Sequence, residues 1–323
     1  MNCAIIIPCI NLDNETKLCV KKCLKQKNIK IKIYIVSDKK IIRQKKDKKI
    51  KYLSYGPINM SEKRNKAVNA CREKYIAFID SDAYPAPFWI SNGIKILKRN
   101  KKIGLVSGPD LPFPNQKGWQ KIIGEAHKSF WLSGSKTYRK NTNKSVYCNQ
   151  VSSCNMIMEK STYKKVKGMN KKIYIAEDAD FCNKIRKNYK IWHSNKVKIF
   201  HKSRNFLPFL MQRYSYGTCI FDVFDHTKII TNVQYIIPLL ITLFFFTFPF
   251  ILTSEIYKYI YYSVFVLFFI NFSYEAVKCT KNLISVFKVI IIFYLSILLF
   301  GLGSLMRIFN LTSNLKKIYT YRS

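Results

Sequence analysis

The sequence predicts an α/β fold: a mostly parallel sheet with helices on both faces, followed by C-terminal transmembrane helices. Three observations carry that prediction. Short, almost fully apolar runs alternate with segments of helical spacing through roughly the first 110 residues, the pattern of parallel strands buried on both sides. Acids close several of those runs, Asp38 after the second and Asp80-Ser81-Asp82 after the third. Beyond about residue 231 the composition turns apolar over stretches of bilayer length.

Taken in order, CAIIIPCI (3–10) reads as a buried strand and ETKLCVKKCLKQK (15–27) as a helix. IKIYIVSD (31–38) is a second strand. EKRNKAVNACRE (62–73) is a helix with Ser61 as its cap, and YIAFIDSD (75–82) is a third strand. PFWISNGIKILKRN (87–100) is again helical, and IGLVSGPD (103–110) is a further strand. In open sheets of this kind ligands gather where the C-terminal ends of the strands emerge. Asp38, Asp80 and Asp82 therefore project into the predicted crevice. No P-loop and no G-x-G-x-x-G occurs, so a cation bridging phosphate oxygens is the expected substitute for a glycine-rich cradle.

Three apolar stretches follow, roughly 233–252, 256–274 and 283–309. The first carries no charge. The third has Lys288 and Arg307 near its ends, where long stems snorkel. Two of the three lack the polar face a soluble helix needs. These features divide the chain into a catalytic region, 1–230, and a membrane region, 231–323, of two to three transmembrane or interfacial helices. Lys278 and Lys281 favour a cytoplasmic loop and a cytoplasmic catalytic region at the cell inner membrane, whereas three full crossings would place Lys316, Lys317 and Arg322 outside, against the same rule.

The formal net charge of +38 raises the idea of nucleic-acid binding, but the basic residues are scattered and no nucleic-acid-binding signature is present. Charge of this kind sets non-specific attraction, not fold. Residues 1–230 carry 48 of the Lys and Arg and 16 of the Asp and Glu, so the excess sits where a tether would hold it near anionic headgroups. The partners expected are a membrane and small-molecule substrates, with no nucleic acid. Ten cysteines include no C-x-x-C pair, and MNCAIIIPCI lacks the basic lead of a secretory signal. That predicts reduced, mostly buried thiols and no zinc site.

The ordered segments PCIN (8–11), VSD (36–38), EKRNKAV (62–68), FIDSD (78–82), KGMNKKIYIAEDADFC (167–182) and HKSR (201–204) together resemble the family 2 glycosyltransferases of GT-A (Rossmann-like) fold, over essentially all of residues 3–217. The apolar tail with FGLG (300–303) looks like that of membrane-anchored members that build polyprenyl-linked exopolysaccharide or surface-glycan units. The resemblance implies inverting sugar transfer from a nucleotide-sugar donor to a lipid-linked saccharide or polyprenyl-phosphate acceptor, assisted by Mg²⁺ or Mn²⁺. It implies that Asp82 ligates the metal, that Asp80 contacts the ribose or the metal, and that His201 completes the metal site or touches the diphosphate. Asp178 would be the general base. Glu177 beside it would pair with a cation or a polar acceptor group. Pro8, Asn11 and Asp38 would cradle the nucleotide, Arg64 would reach its base or phosphates, and Arg204 would offset diphosphate charge.

Departures from the family pattern also inform the reading. Ser37 stands where an acid is usual, which leaves the nucleobase open, and Asn170-Lys171 replace the usual acid after Gly168. Processive synthases show Q-x-x-R-W, but residues 212–216 read Gln-Arg-Tyr-Ser-Tyr with no Arg-Trp pair. A single-addition enzyme is favoured over a processive synthase, and both over a basic non-enzymatic membrane or nucleic-acid-binding protein. Acceptor choice is expected in residues 110–150, including Trp119 and Trp131, where no motif is readable and a mobile loop is predicted.

Overall fold

The computed structural model describes residues 2–41, 47–134, 136, 140, 143–174, 176–227, 236–309 and 311. The tail cations Lys316, Lys317 and Arg322, and the composition change near residue 231, lie outside them. Two compact units emerge, Met1–Phe113 with Tyr138–Lys202, and Pro114–Thr137 with Ser203–Ser313.

In the first unit, strand β1 (Asn2–Pro8) is buried from Cys3 onward on both faces, so helices must cover both. Cys3, Ile5 and Ile7 face one cluster, with Cys19, Val20 and Cys23 of α1 (Asn14–Cys23) and Trp89, Ile90, Ile94 and Leu97 of α3 (Trp89–Arg99). Ala4 and Ile6 face the other, with Ala67 and Val68 of α2 (Met60–Ala70), Tyr163 of α6 (Lys160–Lys165) and Phe181 and Ile185 of α7 (Glu177–Arg186). The period-two alternation of a strand sorts its side chains this way. The predicted α/β class, with helices on both faces, is the one observed.

The main sheet has eight strands in the order β3-β2-β1-β4-β9-β6-β10-β8. It comprises β2 (Lys30–Ser37), β3 (Ile50–Ser54), β4 (Tyr75–Phe78), β6 (Ile103–Ser107), β8 (Val146–Cys148), β9 (Met156–Glu159) and β10 (Lys190–His193) around β1. β3, β2, β1 and β4 run parallel, as does the β6–β10 pair. β9 runs antiparallel between β4 and β6, and β8 is antiparallel on the edge, so the sheet is mixed. A second, three-stranded sheet joins β5 (Ala83–Pro85), β11 (Ile199–His201) and β7 (Asp110–Pro112). The predicted strand 75–82 thus ends at Phe78, with β5 of the second sheet starting only at Ala83, and the predicted strand 103–110 is split between the two sheets at Gly108–Pro109.

α2 starts earlier than expected. Its cap is Asn59, whose side chain accepts from the Glu62 N–H at 2.8 Å, and Ser61 lies buried inside the first turn. None of the ten cysteines is in a disulfide, and nine are buried.

The second unit holds α4 (Gly118–Ala126), α5 (Phe130–Ser133), α8 (Phe206–Thr227), α9 (Ile237–Phe246), α10 (Glu255–Cys279) and α11 (Leu283–Ile308). Residues 118–126 and 130–133 are helical, not the mobile loop predicted. Trp119 packs on Phe206 with ring centroids 4.4 Å apart, and the Trp131 indole donates to Asn271 Oδ1 at 2.8 Å. α10 and α11, of 25 and 26 residues, are long and apolar enough to cross a membrane. The first apolar stretch is not one helix. α9 ends after ten residues, and Phe248–Thr253, which contains Pro249, continues as a 3₁₀ turn. Ten residues rise about 15 Å, half of a bilayer core. Within FGLG, Gly303 is required by α8: a Cβ there would lie 2.1 Å from the Tyr214 carbonyl oxygen, and one on Gly217 would lie 1.9 Å from that of Phe300.

Candidate active site

The site is built at the C-terminal ends of β1, β2 and β4. Pro8 closes β1 in register with Val36, and the Cys9 N–H continues the ladder to the Val36 carbonyl at 2.9 Å. Pro8 is buried there, and Asn11 in the following loop is exposed. Asp38 follows β2, its N–H donating to Ile10 O at 3.1 Å. After β4 the chain turns at Asp80, whose carbonyl accepts from the Ala83 N–H at 3.1 Å. β5 then pairs with β11 so that Ala83 lies opposite His201, and the Lys202 N–H donates to Asp82 O at 3.0 Å. This register brings a histidine from far along the chain beside the acids.

The His201 Nε2 lies 3.3 Å from Asp82 Oδ1 and 4.0 Å from Asp80 Oδ2. Asp80, Asp82 and His201 each offer one ligand atom within 4.8 Å of the others. About a third of each side chain is exposed, so the group opens to solvent. Burial lowers the affinity of the imidazole for a proton, but the charge and hydrogen bond of Asp82, with the charges of Asp80 and Asp110, outweigh it and leave the pKa raised. Two carboxylates and one imidazole form a donor set that suits Mg²⁺ or, better, Mn²⁺.

Three consecutive residues of α2 hold the surrounding loops. Lys63, 1% exposed, donates to Cys9 O at 2.8 Å and lies 2.8 Å from Asp38 Oδ1. Arg64, 2% exposed, donates through Nη2 to Asp80 Oδ1 at 2.9 Å and through Nη1 to Glu177 Oε1 at 3.0 Å. Asn65 donates to Met169 O at 2.9 Å and accepts from the Met169 N–H at 3.1 Å. The structure thus gives the Arg64 guanidinium two protein partners, where the sequence reading gave it an open end toward nucleotide. The Gly168 turn lies against the same clamp. Its φ is +66°, and a Cβ there would sit 2.7 Å from Asn65 Oδ1.

Glu177 and Asp178 open α7, with Asp180 in the same turn. Acids there are favoured by the positive end of the helix dipole. Ala176 just before them has φ +63° and ψ +25°, a left-handed conformation that costs a residue with a Cβ on the order of 1 kcal/mol. Burial raises the Glu177 carboxyl above its ordinary pKa, with Arg64 opposing and the Asp178 charge adding to the rise. Ser153 Oγ also donates to Glu177 Oε1, at 3.4 Å. Asp180 is buried and pairs with Lys184 at 3.0 Å. Arg204 is an exposed residue of the second unit.

Sequence reasoning named Arg64 and missed Lys63 and Asn65. A signal was present for Lys63. Ala67 and Val68 lie one turn after Lys63 and Arg64, so both cations continue the buried face of α2.

Residues 4–166, half of the chain, match the sequence model of the family described as Glycosyl transferase family 2. Among solved structures the chain is similar to S. aureus TarS 1-349, at 13% identity and a TM-score of 0.45, over 68% of this chain and 66% of that one. The complex of TarS 1-349 with UDP gives 13% and 0.46 over the same shares. For S. aureus TarS the values are 15% and 0.43, over 68% of this chain and 40% of that one. The chain thus spans just under two thirds of the shorter TarS structures. No curated protein sequence matches it significantly.

Proposed function

The chain belongs to glycosyl transferase family 2 and is a glycosyltransferase on that ground; from this premise we propose that it transfers a sugar, with inversion, from a nucleotide-sugar to a lipid-linked saccharide or polyprenyl-phosphate acceptor. The observation that supports this reading best is the sharing of one buried guanidinium, Arg64, by Asp80 of the cation-ready cluster and Glu177 of the α7 acids. That bridge supports reading the two candidate catalytic segments as one site.

Asp80, Asp82 and His201 would hold the divalent cation. When bound, it neutralises the charge that gathers on a diphosphate leaving group. Asp178 takes the proton of the acceptor hydroxyl as that oxygen bonds to the anomeric carbon. The bond from that carbon to the diphosphate oxygen breaks, its electron pair leaves with the diphosphate, and attack from the opposite face inverts the centre. Glu177 stays on Arg64 and fixes the start of α7, so the base one residue later is held in place. Arg64 acts here as a positioning residue. Pro8, Asn11 and Asp38 form the nucleotide end.

Residues 1–230 supply the chemistry in this reading, and α10 and α11 in 231–323 anchor the enzyme in the cell inner membrane with the catalytic region cytoplasmic. One sugar is added per acceptor.

The test is release of nucleoside diphosphate by the purified chain from a panel of nucleotide-sugars, with Mg²⁺ or Mn²⁺ and a lipid-linked acceptor fraction. Asp178→Asn is expected to lose about 10²- to 10⁴-fold in turnover. Wild-type turnover by that variant would remove Asp178 as the base, and metal-independent turnover would remove the cation from the mechanism.

A further inference from the structure

Helices α8 and α11 touch backbone to backbone. A Cβ on Gly217 would lie 1.9 Å from Phe300 O, and Ser304 Oγ donates to Gly217 O at 3.3 Å. A Cβ on Gly303 would lie 2.1 Å from Tyr214 O and 3.1 Å from Thr218 N. The two helices also run in the same direction. Near their starts, Phe206 of α8 packs on the Trp119 ring, and the Lys288 ammonium of α11 lies 5.4 Å from that same ring. Further along, residues 214–218 meet residues 300–304. A helix that accompanies α11 over this length lies in the same solvent as α11.

Composition hides this, because Gln212, Arg213, Asp222 and Asp225 interrupt the apolar run of α8. Packing removes the objection for Arg213. It is buried, donates to Leu132 O at 3.3 Å and lies over the Phe209 and Tyr216 rings, the inward placement that bilayers impose on ionisable residues. Leu207, 66% exposed, and Met211 and Tyr216, each 38% exposed, face outward. The 22 residues of α8 rise about 33 Å, against a bilayer core of about 30 Å. Independently, α9 begins beside the far part of α11: a Cβ on Gly301 would lie 2.7 Å from Pro238 O, and Thr242 Oγ1 donates to Ile297 O at 3.3 Å. By Pro238 the chain has therefore already passed from the level of Lys288 to that of Gly301.

We propose that α8 is a third membrane span, parallel to α11, whose outer face fits the acyl chains of the bilayer. The inference rests on the reading that α10 and α11 cross the membrane. Residues 203–205, which separate the catalytic unit from α8, reach at most about 11 Å, so α8 starts on the catalytic side. α10 then returns and α11 leaves again, joined by the short turn 280–282. Lys278 and Lys281 thereby fall on the catalytic side, as their charge favours. The catalytic region ends at Lys202, and β11, with His201, is tied to the bilayer by four residues, a connection that suits a lipid-borne acceptor.

Two measurements on the full chain test this. The first places wild type in phospholipid vesicles containing a lipid with a diazirine midway along its acyl chain. After illumination, peptide mass mapping is expected to find adducts on α8 as well as on α10 and α11. Adducts on α10 and α11 with none on α8 overturn the proposal and leave the anchor reading intact.

The second uses a membrane-impermeant maleimide on intact cells and on inverted membrane vesicles, with each site read by mass mapping. Lys101→Cys, at a catalytic-unit position 72% exposed, marks the catalytic side. Lys281→Cys and Leu311→Cys, both at exposed positions, report the two ends of α11. Position 281 is expected on the side of 101, and position 311 on the other. The reverse, with 311 on the side of 101 and 281 opposite, means two crossings and overturns the proposal alone. Positions 281 and 311 on one common side mean that α11 does not cross, which overturns the anchor reading as well.

Discussion

Asp80 and Glu177 accept hydrogen bonds from the same guanidinium, at 2.9 and 3.0 Å from the two terminal nitrogens of Arg64. The planar fork of arginine serves two carboxylates at a fixed spacing, which a lysine ammonium on a flexible stem does not reproduce. Because Arg64 is buried, the carboxylates depend on it for charge balance and for position.

Replacing Arg64 therefore has two separable effects. Arg64→Met leaves two acids facing each other without a counter-charge, and chemical denaturation is expected to show a loss of about 3–5 kcal/mol. Arg64→Lys keeps the charge and loses the fork. It is expected to fold, with a smaller stability loss, and to drop in turnover by at least tenfold. Equal turnover in Arg64→Lys would separate the bridge from catalysis.

Cation binding is open to direct measurement without substrate. Titration of the purified chain with Mn²⁺, followed by paramagnetic resonance or calorimetry, is expected to give one site, which Asp82→Ala and His201→Ala each weaken by at least about tenfold. Chelation should lower the melting temperature of the loaded wild type, since the ion binds the folded chain alone. A chain indifferent to Mn²⁺ would count against the cluster as a metal site.

Gly168 is the hinge of the turn that Asn65 holds. Gly168→Ala combines a left-handed backbone with a Cβ placed 2.7 Å from Asn65 Oδ1. A loss of about 1–3 kcal/mol in unfolding free energy is expected. Because this loop leads into Glu177, turnover should fall further than stability explains, and kinetics at a temperature where the variant is fully folded would check that.

The thiols give a test that needs no substrate. Burial pushes the Cys9 thiol up to about 12, with Lys63 opposing, and it raises Cys3, Cys19 and Cys71 as well. At pH 8 these four should resist alkylation until denaturant is added, while half-buried Cys148 is labelled, as read by peptide mass mapping. The sign for stability follows. Above about pH 8.5 the unfolded thiols ionise and the folded ones do not, so unfolding becomes easier as pH rises.

Much of this architecture was legible in the sequence because a strand buried on both faces has little choice of residue. CAIIIPCI, IKIYIVSD and YIAF announce themselves through unbroken apolar character, and the acids that follow them mark where the chain leaves the core. What stayed hidden depended on contacts between distant segments. Met156–Glu159 is four residues of ordinary composition, and only its slot between β4 and β6 makes it a strand. Lys63 reads as one more lysine in a chain rich in them, until Ala67 and Val68 show which way its helix faces. The first apolar stretch illustrates the converse error. Its lack of charge was visible, but Pro249 after a ten-residue helix weighs more than hydropathy, since the ring gives no N–H to continue the helix.

Lys63, Arg64 and Asn65 hold several separate segments at once from one turn of α2, and this makes the angular phase of that helix a shared variable. Each residue advances a helix by about 100°. One residue inserted between Asn59 and Lys63 would rotate all three side chains off their targets together, whereas lengthening any single loop would leave the contacts to the other segments in place.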